Sequence, residues 1–185
     1  MGSYRVTVNL ELTAKCNALC VMCPRETIAS PRPMQLDVLQ RVVERLEPQD
    51  VYRVVIAGYG EPTTHPRWRD CIEILRGARV RLDMVSNGHL LDEERLLSLD
   101  GLLHTLVISF SSVDPEVYQS VHVNLDRQRV MRNIELAQAR LQHTRLAISL
   151  TPLTACLASL EQTIAWLRGR GVTLLTMSPT LYDRA

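Results

Sequence analysis

Cys16-Asn17-Ala18-Leu19-Cys20-Val21-Met22-Cys23 comes directly after a strand-like segment, Tyr4–Leu12, at the start of the chain. The C-x3-C-x2-C spacing places three thiols around one loop. A four-iron cluster ordinarily takes four cysteines, one per iron, so three leave one iron free for a ligand that the protein does not supply. An electron relay has no use for such an iron, whereas a catalyst does. The spacing therefore predicts a [4Fe–4S] cluster on Cys16, Cys20 and Cys23 that binds and reacts with a small molecule. Competing readings of the same residues are a zinc site or a redox Cys-x-x-Cys pair. Zinc would need a fourth ligand, and no nearby His or Cys offers one, His65 being the closest histidine.

Outward from that loop, short apolar runs rich in β-branched residues recur at Arg53–Ala57, Arg81–Val85, Thr105–Ser109, Arg145–Leu150 and Thr173–Met177, and each reads as a strand. The segments between them carry a helical period. Leu36, Leu39, Val43 and Leu46 make one apolar stripe, and Trp68, Cys71, Ile72 and Leu75 make another at i, i+3, i+4, i+7. Asp92 starts a helix carrying Leu96 and Leu99. Asp114-Pro115 reads as an N-cap followed by proline at the first helical position, and Val130, Ile134, Ala137 and Leu141 keep one face of the helical segment after it. Leu157, Leu160, Ile164 and Leu167 form the last stripe, stopped by Gly169 and Gly171. This alternation means a parallel α/β sheet with right-handed crossovers. Six strands are too few for a closed eight-stranded barrel; an open (β/α)6 partial TIM barrel, one domain over residues 1–185, fits the count. The sequence stops soon after the sixth strand, at Ser178–Ala185, which reads as a minimal domain or as one truncated there.

Composition narrows the class. Hydrophobic residues make up 46% against 22% charged, ordinary for a globular domain, and the net charge of +1 gives no field that would steer the whole molecule to nucleic acid or membrane. No apolar run approaches the roughly 20 residues of a spanning helix, and the N-terminus lacks the apolar core of a signal peptide. Five cysteines, three of them clustered, argue against a secreted disulfide framework and for a reducing compartment, the cytoplasm.

In parallel α/β folds chemistry gathers at the C-terminal strand ends, and the distinctive residues of this chain fall there. Gly58-Tyr59-Gly60-Glu61-Pro62 follows the second strand, where glycines let a backbone approach a ligand closely. A tight turn would explain the glycines but not a carboxylate at the mouth. The third strand ends in Ser86-Asn87-Gly88, a common turn, with Asn87 also placed to touch a ligand. The fourth ends in Ile108-Ser109-Phe110-Ser111-Ser112, followed by Val117-Tyr118-Gln119-Ser120-Val121-His122. Ser149, Thr151, Met177 and Ser178 reach the same mouth from the last two strands. His65 reads as a loop-capping side chain, and Cys71 and Cys156 as buried structural cysteines.

The cysteine spacing and these strand ends resemble the radical S-adenosylmethionine (SAM) enzymes, from Tyr4 to about Met177. The resemblance implies the partial barrel, the [4Fe–4S] cluster and SAM as the molecule on its free iron. Against the family's Gly-Gly-Glu-Pro, which meets the amino group of SAM, Gly60, Glu61 and Pro62 match and Tyr59 replaces the first glycine. Asn87 belongs to a stretch resembling Thr-Asn-Gly. Ser109 matches Ile-Ser-hydrophobic-Asp-Gly, whose polar groups reach SAM's carboxylate or ribose, and Ser111 stands where the aspartate is common. His122 stands where an arginine often pairs with SAM's carboxylate; it can donate one hydrogen bond there but no bidentate fork. Met177 falls where backbone of the sixth strand meets the adenine.

For activity, the resemblance implies that an electron from a donor such as flavodoxin or ferredoxin cleaves SAM to a 5′-deoxyadenosyl radical. That radical abstracts hydrogen from a small biosynthetic metabolite or a peptide side chain. Two other readings stand beside it: an activase for a glycyl-radical enzyme, which shares the cysteine spacing and small size, and a non-catalytic iron–sulfur binding or electron-transfer module. In the family, substrate contacts come largely from a C-terminal extension and variable strand-end loops, and this sequence has no such extension. An uncovered sixth strand with Leu174, Leu175 and Met177 implies self-association, or a wide mouth suited to a large or tethered substrate.

Overall fold

The computed structural model describes residues 4–151 and 153–177; Ser178 and the tail to Ala185 lie outside them. All six expected strands form, as β1 (Val6–Leu10), β2 (Val51–Ile56), β3 (Arg81–Ser86), β4 (Thr105–Ser109), β5 (Arg145–Leu150) and β6 (Leu175–Met177). They pair in sequence order and every pair is parallel, so each crossover advances the chain by one place. The crossovers carry α1 (Leu36–Glu44), α2 (Trp68–Leu75), α3 (Glu93–Leu99), α4 (Pro115–Val121), α5 (Arg127–Arg140), α6 (Thr154–Leu157) and α7 (Leu160–Gly169). β1 and β6 are the two edges, and the sheet stays open: a (β/α)6 partial barrel. No helix among the described residues is long and apolar enough to cross a membrane.

Side-chain alternation along each strand separates two faces. One carries Leu10, Val54, Ile56, Leu82, Met84, Leu106, Ile108, Ile148 and Leu150, all buried in one cluster with the stripes of α1, α2, α3 and α5. Burying each such side chain contributes about 1.5–3 kcal/mol. The other face lines the inside of the partial barrel. It runs from Arg53, Arg81, Asp83, Thr105 and Arg145 near the strand starts, through Val85, Val107 and Ala147, to Ser149 near an end.

Two helix expectations need correction. The face running from Asp114-Pro115 to Leu141 is two helices, not one. His122 leaves helical geometry (φ −105°, ψ 65°), Asn124 takes a left-handed turn (φ 69°), and Asp126 restarts the helix by accepting from the Arg129 N–H. The stripe at Leu157 likewise splits at Ser159, leaving Leu157 60% exposed and outside the core. Strand limits shift by one or two residues, most at β1, where Tyr4, Arg5, Glu11 and Leu12 lie outside the ladder.

Asp100, just after α3, fixes the entry to β5. Its carboxylate accepts hydrogen bonds from the backbone N–H groups of Gln142, His143 and Thr144, at 3.1, 2.8 and 2.9 Å. Burial works to raise its pKa, but these donors prevail and hold it below the usual carboxylate value. A carboxylate depressed in the folded state stabilises above its unfolded pKa and loses that contribution as pH falls through the folded value. Asp100→Ala should therefore lower stability by about 1–2 kcal/mol at neutral pH. The deficit should narrow once pH drops below about 4, as urea titrations at the two pH values would show.

Candidate active site

Beyond β1 the chain runs from Glu11 to Gln35 with a single 3-10 turn, Arg25–Thr27, as its only helical or strand element. Backbone groups in such a stretch need partners elsewhere. Ala14 N–H donates to the Arg32 carbonyl and Met34 N–H to that of Leu12, at 3.1 and 2.8 Å, which closes the loop at its base. Leu19 and Val21 donate to the carbonyls of Val123 and Val121 around the end of α4 (2.9 and 3.1 Å), and Glu61 N–H donates to the Lys15 carbonyl at 2.8 Å. A Cβ on Gly60 would overlap the Thr13 carbonyl oxygen and lie 2.6 Å from that of Lys15. The close approach that Gly60 permits is thus made by the protein's own cysteine loop. Glu11, which the sequence alone did not single out, braces the same place from just past β1, its carboxylate accepting from the N–H groups of Tyr59 and Gly60.

Glu61 is 3% exposed and joins the second strand end to the third. Its Oε1 accepts from the Thr63 hydroxyl and N–H (2.6 and 3.2 Å) and from the Ser86 hydroxyl (2.8 Å), and its Oε2 from the Asn87 N–H (2.7 Å). Burial raises its pKa, while these donors oppose the rise. Asn87 in turn reaches the cysteine loop, its Nδ2 donating to Asn17 Oδ1 at 2.7 Å and lying 4.0 Å from Cys16 Sγ. Gly88 takes φ +75°, so the turn and the tether coexist.

Cys16, Cys20 and Cys23 line one cavity of about 190 Å³ with Gly58, Gly60, Glu61, Asn87, Ser109 and His122. Among the described residues no three His, Cys, Asp or Glu side chains converge as ligands of a single ion would. Burial raises the Cys16 thiol and pushes Cys20 up to about 12, with the neighbouring cysteines adding to the rise. Cys16 and Cys20 therefore resist ionising unless cations compensate them, which iron would do. Donors already face the sulfurs: Ala18 N–H is 3.4 Å from Cys16 Sγ, and His122 Nδ1 is 3.5 Å from Cys20 Sγ. The residues fit an iron–sulfur cluster.

A family model described as the radical SAM superfamily matches residues 10–155. The chain belongs to the radical SAM superfamily. It is 31% identical over 108 residues to the tungsten-containing aldehyde ferredoxin oxidoreductase cofactor-modifying protein of Pyrococcus furiosus, covering 57% of this chain and 30% of that one. It is 25% identical over 158 residues to a probable GTP 3′,8-cyclase of Methanococcus maripaludis, covering 84% and 50%. The chain thus spans half or less of the length of these curated relatives. In fold it is similar to Streptococcus suis SuiB bound to S-adenosylmethionine (TM-score 0.80, 12% identity, 98% of this chain and 40% of that one). It is similar also to anSMEcpe with bound AdoMet (TM-score 0.78, 18% identity, 95% and 52%).

Within this radical SAM fold, five of the residues proposed to meet SAM line the thiol cavity: Gly60, Glu61, Asn87, Ser109 and His122. The other three do not. Pro62 is buried at the start of a 3-10 turn behind the wall. Ser111, 1% exposed, gives its hydroxyl to His122 Nε2 at 2.8 Å, so it orients the histidine instead of facing a ligand. Met177, the last residue of β6, is 53% exposed. Both ring nitrogens of His122 are engaged, Nε2 by the Ser111 hydroxyl and Nδ1 by the Cys20 sulfur, which holds the ring against one of the cavity thiols. Burial lowers its pKa to about 4, so the ring is neutral at pH 7, and a Ser111 O–H donated to Nε2 leaves Nδ1–H to donate to sulfur. His65 caps its loop as expected, with Nε2 3.0 Å from the Met34 carbonyl and Nδ1 accepting from the Arg67 N–H at 3.1 Å. Cys71 and Cys156 are buried away from the cavity. Asn17 and Ser86 are the other tethers missing from the sequence reading; only their adjacency to Cys16 and Asn87 hinted at them.

Gly60→Val should push the cysteine loop off the second strand end. The expected result is iron content at or below half that of the wild type after anaerobic reconstitution, with a melting temperature lower by roughly 3–10 °C. Gly169→Ala, whose Cβ meets nothing within 4 Å, should change neither. Full iron loading in Gly60→Val would show that the contact with Thr13 and Lys15 does not position the thiols.

Proposed function

We propose that the protein is a radical SAM enzyme that holds a [4Fe–4S] cluster on Cys16, Cys20 and Cys23 and acts on a small metabolite or a peptide side chain. The observation that carries this reading is the meeting of three thiols, the Gly58–Glu61 loop and the ends of β3 and β4 around one cavity. When bound, the cluster with SAM on its free iron supplies a 5′-deoxyadenosyl radical after one-electron reduction by a donor such as flavodoxin or ferredoxin.

The chain's own residues bind and orient. Gly58 and Gly60 line the cavity where SAM's amino group would lie, and their missing Cβ atoms leave room for Glu11 and for the Thr13 and Lys15 carbonyls packed against that wall. Asn87 and Ser109 offer polar groups at two further strand ends. His122 donates towards the Cys20 sulfur, and such donors to ligating atoms orient them and tune the metal centre. Ala57 and Val85 supply apolar wall between these groups, which confines a reactive species to the substrate placed against it. The names of the relatives, a GTP cyclase, a cofactor-modifying protein and SuiB bound to its precursor peptide SuiA, support both substrate classes.

Anaerobically reconstituted protein should hold about four irons per chain, and with SAM and a strong reductant it should release 5′-deoxyadenosine and methionine. Cys16→Ala, Cys20→Ala or Cys23→Ala should each lose the cluster, while Cys71→Ala and Cys156→Ala keep it. Iron lost from Cys71→Ala but kept in Cys20→Ala would overturn the ligand assignment. A fully loaded protein that leaves SAM intact would favour the electron-transfer reading.

A further inference from the structure

The inner face of the partial barrel carries charges that the thiol cavity does not use. Arg53, Arg81 and Arg145 line a second cavity, of about 450 Å³, in which Asp83 is the single acid among the lining residues. Strand register sets them side by side: Arg53 lies opposite Arg81, and Asp83, Thr105 and Arg145 form a row across β3, β4 and β5. Asp83, 4% exposed, takes Arg53 Nη1 at 3.2 Å and both Nε and Nη2 of Arg81 at 3.2 Å, with His104 Nδ1 3.8 Å away. One carboxylate therefore serves two guanidiniums. Arg53 Nε is buried without a hydrogen-bond partner, and Arg145 makes no ion pair among the described residues. The lining side chains are three arginines and one aspartate, a formal charge of +2. The Arg53 Nε–H, removed from water, costs free energy until an acceptor arrives, and arginine cannot shed its charge to escape that cost; Arg145 is exposed at the start of β5, its charge uncompensated by an ion pair among the described residues.

We propose that this cavity binds the phosphate group of a small, elongated substrate, with Arg53, Arg81 and Arg145 as its cradle. The inference rests on the radical SAM reading and deepens it by naming the substrate class. A phosphate monoester carries a charge of about −1.5 to −2 at neutral pH, which matches the surplus, whereas a single carboxylate leaves half of it unmet. Guanidinium forks also present paired N–H groups to phosphate oxygens. Geometry then sets the length of the ligand. Above the arginines lies an apolar layer of Val85, Val107 and Ala147, and above that Ser149. Val85 lines both cavities, so they share a wall. From Arg145 to Ser149 is four strand residues, about 13 Å. A phosphate ester of sugar-phosphate or nucleotide size spans that distance, with its phosphate at the arginines and its far end against the thiol cavity.

The test titrates ribose 5-phosphate, ribose and succinate into anaerobically reconstituted protein by calorimetry; none carries an adenine that could compete for a SAM site. Ribose 5-phosphate should bind saturably at one per chain, ribose undetectably, and succinate at least tenfold more weakly than the phosphate. Arg53→Gln and Arg145→Gln should each weaken ribose 5-phosphate binding by tenfold or more. Arg69→Gln, on the outer surface beside Glu94, should leave it unchanged. Arg145 has no ion pair to lose, so that variant should fold normally, which a circular-dichroism melt confirms. No binding of ribose 5-phosphate, undiminished binding in the Arg53→Gln/Arg145→Gln double variant, or succinate binding as tightly as the phosphate would each overturn the proposal. Release of 5′-deoxyadenosine is read separately, so a protein that binds ribose 5-phosphate yet leaves SAM intact keeps this inference and loses the catalytic one.

Discussion

A main-chain contact between Gly60–Glu61 and the carbonyls of Thr13 and Lys15 holds the site together. The cysteine loop has no ladder of its own, and Lys15 is the residue before Cys16, so whatever fixes its carbonyl fixes the first thiol. Only a residue without a Cβ can bring the second strand end that close. Once Gly60 is there, Glu61 comes next with its N–H on Lys15 and its carboxylate turned to Ser86 and Asn87. Asn87 returns to Asn17, and the circuit through three strand ends closes. Glu61, Ser86 and Asn87 are buried together, so each is satisfied only while the others stay in place.

That circuit explains why the family's motif glutamate is buried so deeply in this chain. Glu61 lines the cavity but spends its oxygens on the scaffold, and the groups left to face a ligand are backbone, Asn87 and Ser109. His122 shows the same division of labour. Its place in the sequence suggested a contact with a SAM carboxylate; in the fold its ring is neutral and its two nitrogens meet the Ser111 hydroxyl and the Cys20 sulfur. The cationic end of the barrel lies on the same inner face but several residues nearer the strand starts, across an apolar layer. The interior is thus polar at both ends and apolar between.

Much of this was legible in the amino-acid sequence. Strand and helix identity came from hydrophobic period, which is local: the stripe Trp68-Cys71-Ile72-Leu75 is buried throughout, and Asp114 caps its helix as its neighbours require. Where local signals conflicted, the reading failed. Asn124 and Asp126 break and restart a helix whose apolar face looks continuous, because a single left-handed residue outweighs a stripe. Glu11, Asn17 and Ser86 carried no signal of their own, since a hydrogen-bonding side chain looks the same whether its partner is water or a carboxylate far along the chain.

The sequence by itself determined the order of strands and helices, the parallel open sheet, and the gathering of three thiols and a Gly-Glu-Pro loop at neighbouring strand ends. Periodicity and position after a strand suffice for that. Only the tertiary structure decided which polar residues face the cavity and which are spent on one another, and that arginines from three different strands line one cavity with a single carboxylate. Those outcomes depend on register and on what packs against each side chain. A shift of one residue would turn Arg53, Arg81 and Arg145 to the opposite face, and nothing local to any one of them records which way it points.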